Sequence, residues 1–148
     1  MNIETLKETL ESGTEREISD LSYSILNISD SSILIEIARN LNELTPFATS
    51  SLWDKSEDKL KIQESIDRIV RFLELVSISG CCCSKYSICS YFPFAEEKRG
   101  LVEILENETH NETWESYVEC KCTSCGQKYS VFEREAGFGR RAEWQEKN

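Results

Sequence analysis

Seven cysteines crowd into the stretch from Cys81 to Cys125, and the eighty residues before it contain none. Thiols this dense are rarely core packing alone: they form disulfides in an oxidising compartment, and bind metal or do redox work in a reducing one. Met1 is followed by the polar, helix-forming stretch NIETLKETLES, which lacks the basic and then apolar segments of a signal peptide. No apolar run approaches the roughly 20 residues that span a bilayer. A cytoplasmic chain with reduced thiols is therefore expected, and the spacing of those thiols carries the chemistry.

Cys122-x2-Cys125 followed by Gly126 has the form of a zinc knuckle, in which a tight turn presents two thiolates and glycine lets the backbone curl beneath the metal. Upstream, Cys81-x-Cys83 offers the other half of a tetrahedron. Four sulfurs at about 2.3 Å from one Zn²⁺ leave no open coordination position. The expectation is one structural zinc ion per chain, held by Cys81, Cys83, Cys122 and Cys125 and not activating water. Cys82, Cys89 and Cys120 remain alternatives for any one of these places. A redox dithiol would open a helix after a strand, whereas Gly126-Gln-Lys-Tyr-Ser-Val-Phe reads as a further strand.

The cysteine-free half reads as helices. Gly13 ends a first short one, and Thr14-Glu15-Arg16-Glu17 fits a capping box for the next. Ile18, Leu21, Ile25 and Ile28, then Leu34, Ile37, Leu41 and Leu44, recur at helical spacing, with Thr45-Pro46 expected to stop the third helix. A loop holding Phe47 and Trp53 leads to the longest helix, from about Ser56, with Ile62, Ile66, Ile69, Leu73 and Val76 on one face. After residue 80 the pattern changes. Leu101 to Glu106, Trp114 to Cys120 and Lys128 to Arg134 read as strands, with Asn107 to Thr113 connecting the first two. The fold expected is α+β: an N-terminal helical bundle, open to a HEAT-like pairing of helices, over residues 1–77, then a small antiparallel sheet with zinc knuckles over 78–148, packed on it.

Charge narrows the partners. With 27 acidic and 17 basic residues the net charge is −10, so phosphate backbones and anionic membranes are poor partners. From Leu101 to Glu119 there are six glutamates and no Lys or Arg. In a strand, Glu103 points away from Val102 and Ile104, while Glu115, Tyr117 and Glu119 point away from Trp114 and Val118. Such a face is ordinarily just solvated; its sharper use is to meet a basic partner, with Glu103, Glu115, Tyr117 and Glu119 as contacts. His110, the sole histidine, has no nucleophile at a workable spacing, and the acceptor motifs at Asn107 and Asn111 need a secretory route that the N-terminus does not suggest. No enzyme is expected.

Beyond these readings, the pattern Cys81-x-Cys83-Ser-x-Tyr86, Gly100-Leu-Val-Glu-Ile, Tyr117-x-x-Cys120-x-Cys122-x-x-Cys125-Gly-Gln-x-Tyr129-x-Val131 and a closing aromatic at Trp144 resembles bacterial immunity proteins of contact-dependent growth inhibition and related polymorphic toxin systems. The likeness covers roughly the last 65 residues, and the segment Phe138-Gly-Arg140-Arg141-Ala-Glu-Trp144 is more basic and less aromatic than in those relatives. It implies a protein that binds and neutralises a cognate toxin, commonly a nuclease, and it brings no catalytic residues. Nuclease toxins tend to be basic because they grip phosphates, so an acidic inhibitor suits the same field. The competing expectation is a zinc-ribbon adaptor in nucleic-acid assemblies, using Lys121, Lys128, Arg134, Arg140 and Arg141.

Overall fold

A helix begins where a side chain can accept the backbone N–H groups that its first turn leaves over. In the computed structural model, which describes residues 1–49, 57–110, 115–135, 137 and 139–148, Asn2 does this for α1 (Ile3–Ser12) and Thr14 for α2 (Glu15–Leu26). The capping box at Thr14 is complete: its hydroxyl accepts from the Glu17 N–H, and its own N–H donates to the Glu17 carboxylate at 2.7 Å. Asp30 caps α3 (Ser31–Ala38) through the Ser32 N–H.

The chain divides into two compact units, Met1–Ser84 and Lys85–Asn148. In the first, α5 (Glu57–Ser79) is the axis against which α2, α3 and α4 (Leu41–Thr49) pack. The expected stripe of Ile62, Ile66, Ile69, Leu73 and Val76 is buried, joined by Val70 and Phe72. Against them lie Ile18, Ile25 and Leu26 of α2, Leu34 and Ile37 of α3, and Leu44 of α4. On α2 the buried face is rotated from the expected one, because Ser22 and Leu26 are buried while Leu21 and Ile28 are only half-buried.

Two helical expectations need correction. The third helix breaks at Arg39–Asn40, and Pro46 stops nothing: it lies inside α4, which also contains Phe47. Proline removes one hydrogen bond to the residue four back, a loss that a nine-residue helix packed against α5 tolerates. Trp53 and the expected start at Ser56 lie outside the described residues.

In the second unit, four antiparallel strands, β1 (Val102–His110), β2 (Glu115–Cys122), β3 (Lys128–Glu135) and β4 (Arg140–Lys147), stand in the order β1-β2-β3-β4. β2 alternates half-buried and buried residues along its whole length, which sorts the sheet into an inner and an outer face. The register aligns Val118, Val131 and Trp144 across the inner face. Residues Asn107 to His110, expected in a connection, extend β1; Asn111 to Trp114 lie outside the described residues. β4 was not expected at all.

Before β1 come a short 3-10 helix, Cys82–Ser87, and α6, Pro93–Lys98. Tyr86 stacks on Trp144 with ring centres 3.9 Å apart, Trp144 donates its indole N–H to the Tyr91 carbonyl at 2.7 Å, and Ser90 bridges the N–H and carbonyl of Ala142. These contacts hold β4 in place. Lys85 is buried, with Nζ 2.5 Å from Glu96 Oε2 and 4.3 Å from the Tyr91 ring centre. Tyr86 OH and Arg99 complete the Glu96 carboxylate at 2.9 and 2.8 Å.

Candidate metal centre

The Sγ atoms of Cys81, Cys83, Cys122 and Cys125 all lie within 4.8 Å of one another. These are the four thiols that the spacing singled out. Tetrahedral coordination at about 2.3 Å sets sulfurs about 3.8 Å apart, so the cluster needs to contract by no more than about an ångström to close on a zinc-like ion. The other three cysteines, Cys82, Cys89 and Cys120, are outside this grouping.

Local chain geometry explains how each pair is presented. α5 ends at Gly80, whose N–H bonds the Val76 carbonyl and whose φ of +68° turns the chain out of the helix. Cys81 follows at once, its N–H bonded to Ser79 Oγ, and Cys83 comes in the first turn of the 3-10 helix. The second pair sits where β2 gives way to β3. The Cys122 N–H bonds the Gln127 carbonyl, and the Gly126 N–H bonds the Cys122 carbonyl, closing a turn around Cys125. Gly126 has φ +79°, a conformation that costs any L side chain strain although no atom stands where its Cβ would be. Thr123 ties the turn back to β1 through the carbonyls of Gly100 and Leu101.

Cys81, Cys83 and Cys122 are buried, whereas Cys125 is exposed. A divalent ion offers such thiols the charge partner that burial otherwise denies them. The contrast is Cys120, one strand step before the cluster, whose thiol burial pushes up to about 12, with Cys122 and Glu97 adding to the effect. It stays protonated and behaves as a small apolar core residue.

The residues expected to face a partner, Glu103, Glu115, Tyr117 and Glu119, lie on one face of the sheet. Cross-strand pairs put Glu103 opposite Lys121, Glu106 opposite Glu119, and Glu108 opposite Tyr117. With Glu115, they share the outer face. Glu103 pairs with Lys121 at 2.9 Å. Glu119 is held by Lys147 and by the Tyr117 hydroxyl, and both contacts keep its carboxyl below the usual range. The sequence reading missed Glu106 and Glu108 as members of this face, because strict alternation from Glu103 would send them to the other one. A register shift between Ile104 and Glu106 brings them round.

Neither a protein-family model, nor a curated protein, nor a solved structure matches the chain. Among the described residues, no helix is long and apolar enough to cross a membrane.

Proposed function

We propose that this chain is an immunity protein: it binds and neutralises a basic toxin domain, a nuclease by preference, and does no chemistry of its own. Its four-thiolate cluster holds one structural zinc ion per chain, the turn Cys122–Gly126 serving as a zinc knuckle. The observation that carries the reading is the β1–β2 part of the outer sheet face, where five glutamates and Tyr117 gather in a chain of net charge −10, while Lys128 and Lys147 of that face stand on β3 and β4. Such a face attracts a cationic surface from a distance and disfavours nucleic acid as a competitor. The ion, when bound, supplies cross-linking and no reactivity, since four thiolates complete its shell.

The test is co-expression with the toxin domain encoded beside it. Protection of the host and a one-to-one complex whose association slows with salt are expected. No complex and no protection would end the proposal. A second reading, a zinc-ribbon adaptor for nucleic acid, draws on one observation: Lys121, Lys128 and Lys147 stand in register across β2, β3 and β4. Two of those lysines are engaged by Glu103 and Glu119. Binding of the full chain to generic RNA at moderate salt, steeply weakened as salt rises, would favour this reading instead.

A further inference from the structure

Strand β1 is an edge of the sheet, and its two halves are treated differently. The first half is closed: the Ile104 N–H donates to Glu97 Oε1 of α6 at 3.0 Å, and the Leu101 N–H to the Glu96 carbonyl. Past the register shift the closure ends. Every residue from Leu105 to Thr109 is exposed, including Asn107 and Thr109, which face inward by register, and among the described residues no hydrogen bond reaches them from outside β1 and β2. An open edge of this kind is a template for another strand.

The charges say which strand. Glu106 and Glu108 project on one face two residues apart, about 6.6 Å along the strand. Neither has an ion-pair partner among the described residues; Glu106 stands directly opposite Glu119, which Lys147 already engages, and Lys147 also feels the charge of Glu106. A second copy of this chain would bring its own glutamates to the same edge and be repelled. An extended segment with Lys or Arg at alternate positions would meet a carboxylate at each, and Leu105, 42% exposed at the shift, adds an apolar contact.

We infer that Leu105–Thr109 is a strand-addition site for an extended, basic segment of the partner protein, with Glu106 and Glu108 reading its charge. This rests on the toxin-binding reading for the identity of the partner, but its test does not. The probe is a short synthetic peptide of alternating Lys and Val, added to the full zinc-loaded chain and followed by residue-resolved amide hydrogen exchange. Protection gained within Leu105–Thr109 is expected. So is an affinity about three- to tenfold lower for Glu106→Gln/Glu108→Gln, with the exchange pattern of the unbound variant unchanged. A peptide of equal charge with N-methylated backbone should lose that protection, because strand addition needs main-chain hydrogen bonds.

Protection that maps to the carboxylates lining the α1–α2 groove, Glu8, Glu17 and Asp20, would overturn the inference. Equal binding by the N-methylated peptide, or no effect of the double variant, would also overturn it. If co-expression protects while the peptide maps elsewhere, the inference falls alone. If the peptide maps to β1 but no toxin complex forms, only the toxin reading falls.

Discussion

Cys122 and Cys125 differ in burial but share a turn, and their CxxC-Gly spacing is what drew attention to it in the sequence. Replacing either by Ser is expected to lower bound zinc from one per chain to well below it, measured by elemental analysis, with loss of soluble protein. Cys89→Ser should leave the stoichiometry at one. The Lys85–Glu96 pair makes a different prediction. Both side chains are 2% exposed, so Lys85→Met leaves a buried carboxylate short of a cation and should cost about 3–5 kcal/mol in urea unfolding. Lys85→Met combined with Glu96→Leu should cost much less, since the uncompensated charge goes with its partner. Nothing in the sequence announced this pair: Lys85 and Glu96 stand eleven residues apart, and only the folded chain brings them together.

Elements were legible in proportion to how local their causes are. The capping box at Thr14 depends on four consecutive residues and was read correctly; removing its hydroxyl half by Thr14→Ala, which leaves the backbone N–H to Glu17 in place, is expected to cost about 1 kcal/mol. That variant should also alter the response to acid. Glu17 is held below its ordinary value chiefly by the Thr14 N–H and then its hydroxyl, and Asp30 chiefly by the Ser32 hydroxyl and then its N–H. Their contribution to stability is present above the unfolded carboxyl range and is lost as pH falls through the depressed folded values. Melting temperature against pH should therefore fall less steeply on the acid side in Thr14→Ala than in the parent. By contrast, β4 was invisible because its alternation is weak, with charged residues on both faces around Ala142 and Trp144. Its place is fixed by Tyr86, Ser90 and Tyr91, some fifty residues earlier. Pro46 misled for a related reason: a proline signals a stop only when no packing overrides it.

At the scale of the whole molecule, the α+β order and the antiparallel sheet followed from the change of hydrophobic period near residue 80. The part of the outer face that β1 contributes did not, because one extra residue at Leu105 reverses the parity of the rest of that strand. If the cluster of four cysteines holds zinc as proposed, a chelator at neutral pH lowers the melting temperature substantially, and zinc but not magnesium restores it, checked by scanning calorimetry. Were the cluster only packed thiols, the two scans would superimpose.

Sequence distance gives that cluster a temporal consequence. Cys81 and Cys83 are synthesised about forty residues ahead of Cys122 and Cys125. During that interval, Cys81 and Cys83 have no second pair of thiols to share a cation with, and the nascent chain carries three consecutive cysteines, Cys81 to Cys83, that an oxidant can claim first. Formation of the cluster therefore waits on the later pair, and the yield of folded protein should depend on how reducing the cell is in the meantime.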